Sequence, residues 1–178
     1  MMITEAQVRR IMPNVTTARV ADFVRSFNDW SDKFGIDTPL RAAHYLAQVA
    51  HETGELRYLE EIASGEKYEG RADLGNTQPG DGRRFKGRGC LQTTGRVNYQ
   101  AYADSEWCNG DLMSHPEWLA KFPGAQKSAM YYWKKNGLNT LASRDDANAV
   151  CKRINGGYNG LAQRKYYLRV AKRVLGVK

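Results

Sequence analysis

The residues of this sequence best placed to do chemistry together are glutamates. Glu52 stands in the run His51-Glu52-Thr53-Gly54-Glu55, and Glu60-Glu61 follow beyond Gly54, with Leu56, Tyr58 and Leu59 available to hold the returning segment against a core. Such a turn can set two carboxyl groups on opposite walls of one groove. Glycoside hydrolysis needs that pair: one carboxyl protonated to give its proton to the leaving oxygen, and one ionised to activate water or attack. Their surroundings must push the two pKa values apart. Glu52, in the last turn of a helix where the dipole disfavours an added negative charge, suits the acid. Glu61, on the more open segment, suits the base. On spacing alone, two solvated surface glutamates fit as well.

Other chemistries find less support. The His51 run has Glu55 where a zinc-protease helix needs its second histidine, and His44 and His115 do not restore that ligand at helical spacing. The glycines at 80, 82, 87 and 89 fit no phosphate-binding loop. Three histidines without a G-x-S-x-G elbow argue against a serine or cysteine nucleophile. Cys90, Cys108 and Cys151 are too few for a closed disulfide framework and too far apart for a zinc knot, so they read as reduced thiols.

The elements that must position the carboxylates are helices. Thr4 and Gln7 form a capping box opening a helix that Pro13 ends. Apolar residues at three- and four-residue steps predict a second helix from Thr17 to Phe34, stopped by Gly35. Thr38-Pro39 opens a third, with Leu40, Ala43, Leu46, Ala47 and Ala50 as its buried stripe and His44, Gln48 and Glu52 on another face. Residues 64–89 hold seven glycines and predict a long loop or a small β-ribbon. Further helices are predicted over 92–103, 118–136, 145–154 and 160–174. With no repeat and no linker, residues 1–178 read as a single catalytic domain without a separate binding domain.

Three ordered segments, AHYLAQVAHETGELRYLEE, YEGRADLGNTQPGDGRRFKGRGCLQTTGRVNY and INGGYNGLAQR, carry a resemblance. Together they look like glycoside hydrolase family 19, in particular its short phage-type endolysins, which are kin of plant and bacterial chitinases. The resemblance covers roughly Thr38 to Tyr167. It implies a mainly α, lysozyme-like domain of two lobes around a central groove, inverting stereochemistry, and no metal or cofactor. It places the general acid on Glu52 and the base on Glu61, and gives Thr94 a part in holding the attacking water. Gln92, Asn98, Asn155 and Arg164 match substrate-cleft positions, the arginine pairing with the carboxylates. His51 and Tyr68 join them as candidate substrate contacts. Thr94 can also be read as the N-cap of the helix that follows it and Tyr68 as a loop anchor, while Arg88 is read as a tie between its loop and an acidic neighbour. Family chitinases commonly carry a glutamate four residues after the asparagine, where this chain has Asn159, and this tilts the expected substrate toward peptidoglycan.

Charge fits such a substrate. With 27 Lys and Arg against 19 Asp and Glu, the formal charge is +8. That surplus draws the protein to polyanions: nucleic acid, an anionic membrane face or an acidic glycan. No nucleic-acid-binding signature accompanies it. The segment QRKYYLRVAKRVLGVK has six cations and no acid, which suits a terminal helix docked on the core with a basic outer face, or a membrane-surface helix. The expected partners are peptidoglycan strands and an anionic bacterial envelope, and a monomer is expected. With no apolar leader and no run of about 20 apolar residues, the sequence predicts a protein held in the host cytoplasm until released to the wall.

Overall fold

The computed structural model describes residues 1–177. Among them the regular structure is helical: α1 (Glu5–Ile11), α2 (Thr17–Trp30), α3 (Pro39–Glu52), α4 (Asp81–Arg84), α5 (Arg96–Ala103), α6 (Gly124–Lys135), α7 (Leu138–Ser143), α8 (Ala147–Asn155) and α9 (Leu161–Val174), with short 3-10 turns between some of them. The mainly α class read from the sequence is what is found. The β-ribbon alternative for residues 64–89 is not. Extended pairing among the described residues is limited to isolated bridges, Glu60 with Arg88 and Arg88 with Thr93. No described helix is long and apolar enough to cross a membrane. The chain divides into two compact units, one of residues 1–57 and 132–178 and one of residues 58–131.

In the first unit the predicted caps form. Thr4 and Gln7 complete the capping box of α1, and the Thr38 hydroxyl accepts from Arg41 N–H ahead of Pro39. The second helix ends as α2 at Trp30 and tightens to a 3-10 turn over Ser31–Phe34 before Gly35. Helix α3 is buried from Ala42 to Ala50, well beyond a single stripe. It lies against α9 and α7. Edge and tilted aromatic contacts run through the core, from Phe23 to Phe27, Tyr45 and Trp133. Each such fully buried ring contributes about 1.5–3 kcal/mol by leaving water. The Trp133 indole donates to Asn139 Oδ1 at 2.8 Å, and Asn139 Nδ2 donates to Phe34 O at 2.8 Å. Helix α7, which carries Asn139, has no counterpart among the predicted elements.

The second unit closes around Phe85, Tyr99, Tyr102, Leu112 and Leu119. Its glycine-rich segment is tied down by charge. Asp81, 1% exposed, pairs with Arg96 at 2.5 Å, and Glu69 accepts from the N–H groups of Gly80 and Gly82. Arg88 is buried, donates to Glu60 at 3.0 Å, and also reaches Arg84 O and the Tyr99 hydroxyl, so it does tie its loop to an acidic neighbour. Two predicted helices are shorter than expected. Residues 92–95 stay out of α5 because Gln92 has φ 53° and Gly95 φ 88°, outside the helical region. The helix predicted over 118–136 is replaced by a 3-10 turn over Pro116–Ala120 and by α6, because Pro123 lacks the N–H that a continuous helix would need there.

Candidate active site

Helix α3 delivers Glu52 at its last residue. Of the face read from the sequence as His44, Gln48 and Glu52, the last two meet one partner on α9, while His44 pairs with Asp145. Arg164, 2% exposed, donates from Nη1 to Gln48 Oε1 and from Nη2 to Glu52 Oε1, each at 2.5 Å. Its Nε donates to the Asn159 carbonyl at 3.2 Å. A planar guanidinium that spans two side chains one turn apart fixes both rotamers at once. His51 lies alongside, with Nδ1 at 2.6 Å from Gln163 Oε1. Burial and the neighbouring Arg164 charge lower its pKa against the pull of Gln163 and Glu52. Gly160, with φ 70°, lets the chain pass that ring, since a Cβ there would clash with the His51 imidazole. Asn155 ends α8 and is exposed.

Two residues after Glu52 the backbone turns left-handed. Gly54, Glu55 and Leu56 have φ of 55°, 64° and 64°. For the two non-glycine residues this conformation costs about 1–2 kcal/mol each. Thr53 braces the turn: its hydroxyl donates to Val49 O and accepts from Leu56 N–H. Arg19 donates to the carbonyls of Leu56 and Arg57.

In the second unit Glu61 gathers a different set. Its carboxylate pairs with Lys67 Nζ at 2.7 Å, and Tyr68 and the Gly87 N–H also hydrogen-bond to it. Burial raises its pKa, but the Lys67 and Tyr68 hydrogen bonds, the Lys67 charge and the Gly87 N–H together outweigh that, and the net shift is downward. Tyr68 therefore serves as a donor to Glu61. A Cβ on Gly87 would come within 2.7 Å of Gln92 Oε1, 3.2 Å of Thr94 Oγ1 and 3.4 Å of Glu61 Oε2, so these three side chains converge on one glycine. Thr94 donates to Gln92 O at 2.9 Å and its carbonyl accepts from Asn98 Nδ2 at 2.7 Å. It is not the N-cap of α5, a position Gly95 holds.

The structure thus forms two clusters: Gln48, His51, Glu52 and Arg164 in one unit, and Glu61, Tyr68, Gln92, Thr94 and Asn98 in the other. Sequence reasoning missed Gln163 and Lys67, whose only signal was adjacency to Arg164 and Tyr68. No group of three or more His, Cys, Asp or Glu that could hold a metal occurs among the described residues. The described cysteines are free thiols.

No protein-family model matches the chain. A Haemophilus influenzae protein described as a glycosyl hydrolase family 19 domain-containing protein is 28% identical over 92% of both chains. An Arabidopsis thaliana endochitinase is 36% identical over 65% of this chain, which spans 39% of that relative's length. Two solved structures share the fold. Chitinase C from Streptomyces griseus has a TM-score of 0.75 at 23% identity, covering 98% of this chain and 92% of that one. A class IV family 19 chitinase from Zea mays has 0.74 at 23%, covering 99% and 94%. Ordered motifs, a shared helical fold and a relative similar from end to end lead to one conclusion: the chain is a glycosidase similar to glycosyl hydrolase family 19.

Proposed function

We propose that the chain is an endolysin-type peptidoglycan glycosidase that cuts the β-1,4 bond between N-acetylmuramic acid and N-acetylglucosamine with inversion. Glu52 is the general acid and Glu61 the general base. The observation that carries this reading is the hydrogen-bonded setting of Glu61. Glu61 is held ionised by Lys67, Tyr68 and a backbone N–H, as a base must be. Glu52 has its Oε1 fixed by Arg164, which sets the position of the carboxyl group that the reading assigns as proton donor. Thr94 and Gln92, converging on Gly87 beside Glu61, are placed to hold the attacking water and a sugar. Asn98, Asn155, His51 and Tyr68 supply further sugar contacts.

The acidic wall is favoured over neutral chitin by the +8 charge and by Asn159, which contributes a carbonyl to Arg164 and no second negative side chain. Lys165, Arg169, Lys172 and Arg173 line one stretch of α9 and would hold the enzyme on an anionic envelope. The endochitinase relatives support the second reading, a chitinase of the same family. Mass spectrometry of products from purified sacculi and from chitin oligosaccharides separates the two. Muropeptides with a newly formed reducing N-acetylmuramic acid support the proposal, and chitin cleavage with intact sacculi overturns it. Glu52→Gln and Glu61→Gln should each abolish hydrolysis in folded protein.

A further inference from the structure

We infer that Glu55 is a positioning residue for Glu52, its buried carboxylate locking the left-handed turn on which α3 ends to the same helix that holds the acid. This inference rests on the proposed role of Glu52.

The three left-handed residues begin two positions after Glu52. Non-glycine residues persist in that region only where the surroundings over-determine them. Glycine would adopt the same φ without penalty, so what Glu55 adds is its side chain. That side chain is fully engaged. Oε2 accepts from the Asn14 N–H at 2.6 Å and Oε1 from the Tyr167 hydroxyl at 2.8 Å, while the Glu55 N–H donates back to Ala50 O at 2.8 Å. Glu55 is 8% exposed. Burial and then the adjacent carboxylate push the Tyr167 hydroxyl up to about 12, so it stays a neutral donor.

The register gives this tether its consequence. Tyr167 follows Arg164 by three residues on α9, and Glu55 follows Glu52 by three along the chain. Residues three apart share a helix face. One face of α9 therefore grips the end of α3 at two rungs, Arg164 on Glu52 and Tyr167 on Glu55. A shift of α9 or a relaxed turn would loosen both, and a proton donor displaced by a fraction of an ångström loses much of its rate.

Glu55→Gly keeps the backbone conformation and removes the tether. Glu55→Gln keeps an acceptor, and Tyr167→Phe removes the other half of the rung. Each is assayed beside Glu52→Gln on whichever of sacculi or chitin oligosaccharide the native enzyme cleaves, with far-UV circular dichroism and urea midpoints recorded in parallel. For Glu55→Gly at native helicity we expect kcat to fall on the order of 10-fold to 100-fold, KM to stay about constant, and the alkaline limb of kcat to move. Tyr167→Phe should shift the same limb less, and Glu55→Gln should recover most of the rate. Native kcat and pH profile in Glu55→Gly, or in Tyr167→Phe should the glycine variant not fold, overturn the inference. So does a rate loss that only follows the unfolded fraction. If Glu52→Gln stays active, the role of Glu52 falls and the inference with it. If Glu52→Gln is dead while the tether variants behave as native, the inference alone falls.

Discussion

Arg164 reaches Gln48 and Glu52 with the two terminal nitrogens of one guanidinium, both at 2.5 Å, from a position 2% exposed to solvent. The two acceptors are successive turns of α3, so the fork measures the pitch of the helix as well as binding its last residue.

A lysine cannot copy that geometry, because an ammonium offers a point charge in place of a planar fork. Arg164→Lys should therefore fold but lose about 10-fold or more in kcat, since only one of the two side chains can be held. Arg164→Ala removes a buried cation and strands a mostly buried carboxylate, whose side chain is 19% exposed. A loss of about 3 kcal/mol is expected, the low end for breaking a buried pair because Glu52 keeps some water. Urea unfolding of the two variants checks the order, with alanine the less stable.

The proposed base makes a prediction in pH. Glu61 titrates below its ordinary value of 4.5 because Lys67, Tyr68 and the Gly87 N–H favour the anion over the opposing effect of burial. A base with a depressed pKa stays ionised further into acid, so the acidic limb of kcat/KM should lie below 4.5. Lys67→Met removes the ion pair at 2.7 Å and should move that limb upward. The Lys67 side chain is 61% exposed, so added salt should produce part of the same shift in the native enzyme. An acidic limb unmoved by the substitution would separate Lys67 from the titration.

Gly87 offers a test of the cluster around that base. Its φ is ordinary, so alanine is tolerated by the backbone, yet the new methyl meets Gln92 Oε1 at 2.7 Å and Thr94 Oγ1 at 3.2 Å. The Gln92 amide can swing aside, so stability should change by less than about 1 kcal/mol. Activity should fall on the order of 10-fold to 100-fold, comparable to Thr94→Ala, because both disturb the group proposed to hold water. Thermal unfolding together with initial rates of Gly87→Ala and Thr94→Ala decides it.

How much of this was legible in the sequence differs between the two clusters. The end of α3 was readable because helix period and capping are local: Thr38-Pro39 and Gly54 bracket the element, and the spacing of His44, Gln48 and Glu52 puts them on one face. Arg164 came through the motif resemblance, since nothing local reveals a contact 112 residues away. Around Glu61 the local signal is weaker. Glycines permit many paths, and the path taken by residues 64–89 is set by non-local pairs such as Asp81 with Arg96 and Glu60 with Arg88. The left-handed run at Gly54, Glu55 and Leu56 was invisible because two of its three residues ordinarily avoid that conformation.

His44 carries the last prediction, on stability against pH. The ring is fully buried, with Nε2 at 2.8 Å from Asp145 Oδ1, and Nδ1 has no hydrogen-bond partner among the described residues. Burial lowers its pKa below the ordinary 6.5; the Asp145 hydrogen bond and charge, and the Asp146 charge, pull it back, and Lys172 adds to the lowering. The unfolded chain therefore takes up this proton before the folded one does. Stability from His44 is fully present above about pH 6.5 and is lost as pH falls from there through the lower folded value. At lower pH still, Asp145 loses its own contribution, because its folded pKa is also depressed: burial opposes the shift, but Lys172 and His44 prevail. His44→Gln can still donate to Asp145 and does not titrate. Its melting temperature should decline less between pH 7 and 5 than the native protein's, with His51, whose pKa is also lowered, carrying part of what remains, and parallel declines would show that another group carries the dependence.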